Sequence, residues 1–263
     1  MFDQIKENIM YLLISQKYKW LSFLTYRLQA FVWIVASSFN VIYPLVTITV
    51  IYSISSGIAG WSYYQLIFLA ATASAAMGMA WYFADASNII DGLLYGSADK
   101  IFTRPYGLLT LLMVEYGDVI AAPTIIGAIA LMAFAALHLQ LSAQLLLYYL
   151  VLLSLGTIAY AMFLLMLTAL AYKYFRRGTF IWRMVNFIGE ASNYPISAYG
   201  FVVAGLFSTV IPIGFAYYYP SVLLFGGFNA TLFYGSAVFC IAISVACYKA
   251  FYLLMRSYTS AKG

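Results

Sequence analysis

The sequence predicts an all-α integral membrane protein. We expect six transmembrane helices, an N-terminal amphipathic helix at the membrane interface and a helical cytoplasmic segment between spans two and three. Three observations predict this. First, 65% of the 263 residues are hydrophobic and 8% are charged, whereas a soluble domain carries about 25% charged residues. Too little charge is present to cover such a globule in water, so lipid must solvate much of its surface. Second, long apolar runs recur at about 28–52, 63–83, 117–137, 143–171, 200–219 and 230–254, each near the length a helical span needs. Third, Lys and Arg fall on one side of this alternation.

The six runs fit one membrane domain over 1–263. None shows the sustained period-two alternation of a β-barrel strand. Ahead of the first run, Ile5, Ile9, Leu12 and Leu13 follow helical spacing, continued by Gln16 and Trp20, with Lys6, Glu7, Lys17 and Lys19 as the polar side. That pattern suits a helix lying in the interface rather than a cleavable signal peptide.

Charge sets the orientation. The segments 54–62, 138–142 and 220–229 contain no Lys, Arg, Asp or Glu, and all 13 basic residues lie in or beside the other set of segments. Both termini are therefore expected in the cytoplasm. Lys249 falls near the inner end of the last run, where it can snorkel.

Two cytoplasmic segments are informative. In 84–109, Ile89, Ile90, Leu93 and Leu94 form one apolar face. Ser97 is expected to cap a second short helix, with Asp99 in its first turn, Arg104 in its last and Pro105 ending it. The segment reads either as a surface helix packed under the bundle or as a docking element for a partner. In 172–199, Lys173-Tyr174-Phe175-Arg176-Arg177-Gly178 forms a basic edge, suited to anionic lipid or to a partner. Asn193-Tyr194-Pro195-Ile196-Ser197 then breaks the helix. Two paths follow. Apolar length favours 200–219 as the fifth span. Alternatively 179–196 crosses despite Arg183 and Glu190, and 200–219, interrupted by Pro212 and Gly214, re-enters.

Several chemistries find little support. No Gly-Lys pair occurs, so a phosphate-binding loop is absent and the chain should not hydrolyse ATP alone. His138 lies in a short external turn without a nearby carboxylate or thiol. Cys240 and Cys247 read as small packing residues. Glu115 and Asp118, three apart, are expected on one helix face at the inner edge of the third span, as anchors or partners of Lys or Arg. An ion-coupled secondary transporter is the alternative class. It would need intramembrane carboxylates, and no span centre of the favoured path carries one.

Short motifs suggest a family. Tyr26-Arg27 precedes the first span. Gly96, Asp99, Arg104 and Pro105 fit a Gly-x-x-Asp-x-x-x-x-Arg-Pro signature. Tyr194-Pro195-Ile196-Ser197-x-Tyr199 follows, then Val210-Ile211-Pro212 and Tyr219-Pro220. With these motifs in this order, the chain resembles the membrane subunits of type-2 ABC exporters, the short six-span permease family without a fused ATPase. It departs from that family in having Asp91-Gly92 where more basic residues are frequent.

The resemblance implies that two permeases, identical or related, pair around a substrate pathway. Each would place a cytoplasmic coupling helix, within 86–106, on a separate ABC ATPase subunit. Gly96, Asp99, Lys100, Arg104 and Pro105 become the docking residues. Tyr194, Pro195, Ile196, Ser197, Tyr199, Pro212 and Pro220 form the motif set around the fifth span. No cofactor is expected in this chain, with ATP and Mg on the partner subunit. Membrane lipid is a partner, nucleic acid is not, and the plasma membrane is the expected location.

Overall fold

A computed structural model describes residues 2–55, 57–175, 178–256 and 258–259. Arg176, Arg177 and Lys262 of the basic inventory lie outside the described residues. The chain is 83% helical, and no strand occurs among the described residues. Twelve α-helices follow in order among those residues. They are α1 (Phe2–Thr25), α2 (Arg27–Ile54), α3 (Tyr63–Phe83), α4 (Ala86–Leu94), α5 (Asp99–Phe102) and α6 (Leu108–Tyr116), then α7 (Ala122–Ala136), α8 (Ala143–Leu170), α9 (Gly178–Ala191), α10 (Phe201–Thr209), α11 (Gly214–Gly226) and α12 (Ala230–Met255).

Five segments are long and apolar enough to cross a membrane: Arg27–Ile54, Tyr63–Leu94, Val119–Ala136, Ala143–Phe175 and Ala230–Met255. Helix α3 is the hub. Its run Ala70–Ala76 is buried throughout, because small side chains let the neighbouring helices approach closely where lipid offers no hydrophobic drive to association. It packs against α2, α7, α8 and α11, and α8 in turn packs against α11 and α12. The described Lys and Arg side chains cluster at one end of this bundle, the basic end. The loops at 57–62, 137–142 and 227–229 form the uncharged end.

The favoured path, with 200–219 as one helical span, is corrected. Residues 200–219 do not form one helix, since α10 and α11 meet at 103°. Helix α11 starts at mid-depth. Gly156, the fourteenth residue of the twenty-eight in α8, faces Phe215 at its first turn. From there α11 rises to the uncharged end, where Phe225 meets Trp61 at 5.9 Å. Helix α9 lies toward the basic end: it starts where Gly178 faces Asp91 of α4 and ends where Gly189 faces Met77 of α3. So α9 and α11 lie toward opposite ends of the bundle. Between them 192–213 runs at mid-depth, including α10. Such irregular backbone is tolerated only where protein buries it or it lines a cavity. Here Tyr199 Oη donates to the Ala191 carbonyl at 2.7 Å and Tyr217 Oη to the Tyr194 carbonyl at 3.1 Å. Gly214 permits the tight bend, since a Cβ there would lie 2.6 Å from the Phe207 carbonyl oxygen.

Further expectations are corrected at the basic end. Ser97 does not cap the second short helix. Ala98 precedes α5, which is four residues long and ends at Phe102, before Arg104. Glu115 and Asp118 do not share a helix face, because α6 stops at Tyr116 and Gly117-Asp118 is extended. That break is satisfied by the end of α3: Asp118 N donates to the Trp81 carbonyl at 3.2 Å and Asp85 N to the Tyr116 carbonyl at 3.1 Å. Helix α1 forms, with Ile5, Ile9 and Leu13 pointing away from the bundle, which leaves the interface-helix expectation uncorrected. Its packed side uses Asn8, Tyr11, Lys19 and Trp20 against 82–117.

Candidate functional site

Two regions gather the residues singled out by sequence. The first is the segment at the basic end that holds α4 and α5. Asp85 starts α4 by accepting from Ser87 N at 2.8 Å and Asn88 N at 3.4 Å, the usual service of an N-cap carboxylate. Ile89, Ile90 and Leu93 are fully buried and root α4 in the bundle. Gly96 turns the chain with φ of 75°, a left-handed conformation that costs other residues about 1–2 kcal/mol. This turn delivers Asp99 to the start of α5.

Four side chains then fix α5. Glu115 of α6 pairs with Lys100, and its other oxygen lies 3.8 Å from Arg104 Nη1. Arg104 also donates to Tyr11 Oη of α1 at 3.1 Å. Asp99 accepts from Tyr258 Oη at 2.7 Å, and the Tyr258 ring stacks on Phe102 at 4.7 Å. Burial first, and the bond to Asp99 next, hold the Tyr258 phenol well above its ordinary pKa, so it stays a donor. At the same end Lys19 donates to the Met113 and Gly117 carbonyls at 3.4 and 2.5 Å. It occupies the carbonyl end of α6, where a cation is favoured, and burial lowers its pKa. Pro105 is exposed beyond α5.

Asp99, Lys100 and Arg104 thus hold the segment to α1, α6 and the chain after α12. What the segment presents outward is aromatic: Tyr95 is 76% exposed and Phe102 45%. Tyr258→Phe keeps the stack on Phe102 and removes only the bond to Asp99. Hydrogen exchange over 96–104 is expected to quicken about fivefold, the equivalent of roughly 1 kcal/mol, without a change in helix content.

The second region is a cleft of about 410 Å³ at mid-depth between α2, α3 and α9. Depth follows from its lining. Asn40 is the fourteenth residue of the twenty-eight in α2, and Ser74 is the twelfth of the twenty-one in α3. Asn186, Glu190 and Asn193 line the opposite wall, with Phe39, Tyr43 and Trp81 as aromatic surfaces. Ser74 Oγ donates to the Asn40 carbonyl at 3.4 Å, and Asn40 Nδ2 to Thr124 Oγ1 at 3.4 Å. The Tyr194–Tyr199 motif lies directly behind this wall: Pro195 and Ile196 are buried, while Ser197 is exposed. Pro212 is buried in the bend before α11, and Pro220 sits inside α11.

A family model described as ABC-2 family transporter protein matches residues 39–262. The chain belongs to this family. No curated protein and no solved structure matches it. It is a multi-pass membrane protein and a permease subunit of the type-2 ABC class. The matched stretch takes in the mid-depth cleft, α9, α11 and the α4–α5 segment of the permease.

Sequence reasoning missed two features of the permease. Tyr258, 159 residues from Asp99, carries no local signal for that pairing. The favoured path passes over Glu190, which only the alternative path puts at membrane depth; in the structure it lines the cleft with Asn40 and Ser74. Its signal was present in α9, where Ile181, Val185 and Ile188 recur at helical spacing and are buried, with Glu190 off that stripe.

Proposed function

We propose that this permease is the transmembrane subunit of an ATP-driven exporter, coupled through residues 86–106 to a separate ATP-binding subunit. On this reading the basic end faces the cytoplasm of a cell bounded by the plasma membrane, both termini lie there, and ATP and Mg sit on the partner. The observation that carries it is the α4–α5 segment. It is rooted in the bundle by Ile89, Ile90 and Leu93, stapled by Glu115 and Tyr258, and leaves Tyr95 and the outer side of Phe102 exposed. A stiff lever with an open aromatic face suits a surface that must pass a partner's closing motion into the spans. Gly96 shapes the lever, while Asp99, Lys100 and Arg104 set its angle.

A second permease, identical or related, completes the pathway. Helix α2 buries little of itself against its own bundle, and α10 projects Phe201, 93% exposed, beside the mid-depth break. Helix α2 lines the cleft through Phe39, Asn40, Tyr43 and Pro44, so a second subunit packed against α2 would enclose it.

Purification of the permease in mild detergent from its native membrane tests the proposal. An ATP-binding protein should accompany it, and Tyr95→Ala should weaken that association about tenfold, as loss of an aromatic anchor does. Purification without any such protein, under conditions that preserve the permease fold, overturns the reading. Glu190 favours one second reading, an ion-coupled secondary transporter. In that case the chain alone, in liposomes, would transport along a proton gradient without ATP.

A further inference from the structure

We propose that the mid-depth cleft binds an organic cation with an apolar body, and that Glu190 is its charge partner. The inference rests on the exporter reading and names the substrate class of the same site. Glu190 stands where a carboxylate is costly for three separate reasons. It lies near the middle of the bundle, level with Asn40 and Ser74, and intramembrane acids are expensive unless function needs them. It is the thirteenth of fourteen residues in α9, at the negative end of the helix dipole. And it has no ion pair among the described residues; those found there join Glu115 to Lys100 and Arg104. A cation supplied from outside the chain would relieve all three.

The approach to the cleft repeats the sign. A second hollow shares Asn40, Trp81 and Thr124 with the cleft and adds Asp85 and Asp118. A third shares Trp33, Asp118 and Ile120 with the second and opens beside α1 at the basic end. Carboxylates therefore line neighbouring hollows, Asp118 and Asp85 toward the basic end and Glu190 at mid-depth. Lys19, at the opening, is engaged by two backbone carbonyls.

The walls suit the rest of such a molecule. Trp81, Phe39 and Tyr43 offer aromatic faces, which attract a poorly hydrated cation and bury its apolar surface. The amides of Asn40, Asn186 and Asn193 supply oriented polarity. A volume of about 410 Å³ matches the lower range of small-molecule sites.

The test uses two ions of the same shape and opposite charge, tetraphenylphosphonium and tetraphenylborate. Binding is read by equilibrium dialysis on the full permease in lipid nanodiscs, with whatever partner it retains. Tetraphenylphosphonium should bind saturably and tetraphenylborate should not. Glu190→Gln should raise the cation's Kd about tenfold or more, with Glu190→Asp intermediate. Should Glu190→Gln fail to fold, Asn186→Lys decides. It sits one turn earlier on the same helix and would place an internal ammonium beside Glu190, abolishing cation binding. Equal binding of both ions, or wild-type cation affinity in Glu190→Gln or in Asn186→Lys, overturns the proposal. So does a Glu190→Gln variant that changes only proton-driven transport. The readout needs no ATP, so failure here is distinct from failure to find an ATPase partner.

Discussion

Replacing Gly156 by valine is expected to leave little folded permease in the membrane. At this position α8 and α11 touch through their backbones. A Cβ on Gly156 would collide with the Phe215 carbonyl and lie 2.6 Å from Ala216 N. Backbone cannot answer by changing rotamer. Nor can α11 simply slide away, because Tyr217 ties it to the Tyr194 carbonyl and Phe225 packs on Trp61 and Phe68 at its other end. Overpacking a close contact costs about 1–3 kcal/mol even where side chains can adjust, and here two β-branch methyls are added against main chain. Monodisperse yield in detergent should fall severalfold, with a lower Tm for what remains. Ser154→Val, at an exposed position of the same helix, should change neither.

The second large effect concerns coupling rather than folding. Glu115→Gln removes the one carboxylate that holds both Lys100 and Arg104. Partly exposed ion pairs stabilise a fold by about 1 kcal/mol or less, so the variant should be made and inserted normally. Its consequence lies in the angle of α5. With Lys100 released and Arg104 held by Tyr11 alone, the segment keeps its buried root at Ile89, Ile90 and Leu93 but loses its lateral fix to α6. ATP-driven transport should drop about tenfold, on the scale of 1.4 kcal/mol in coupling, while the partner still co-purifies. Arg104→Gln, which leaves the Lys100 pair intact, should lose less. Equal transport by Glu115→Gln and wild type would show that the staple is dispensable.

Much of this architecture is legible in the sequence, for physical reasons. Apolar length and the one-sided placement of Lys and Arg mark the straight spans, because lipid permits few alternatives to a long helix. The buried face of α4 is also legible, since Ile89, Ile90 and Leu93 repeat at helical spacing. The fifth crossing is not. Hydropathy scores an apolar run without knowing whether the chain turns within it, and the 103° bend depends on Gly214 fitting against Phe207. Arg183 and Glu190 lower the apolar score of α9, although α9 packs Ile181, Val185 and Ile188 into the bundle. Likewise Ser97 looks like a helix cap, but its hydroxyl lies 3.5 Å from the Tyr116 hydroxyl and the turn is made by Gly96. Motif order located the α4–α5 segment and the 194–199 break. It could not reveal that Asp99 engages Tyr258, because that pairing joins segments distant in sequence.

Photo-crosslinking from position 95 tests the central claim most directly. With a benzoylphenylalanine in place of Tyr95, irradiation of intact cells should yield one adduct, an ATP-binding subunit carrying a phosphate-binding loop. Its yield should change when a non-hydrolysable ATP analogue is added to permeabilised cells. An adduct only with lipid, an adduct with a protein lacking that loop, or labelling of a Tyr95→Cys variant by an impermeant maleimide from outside sealed cells would contradict it.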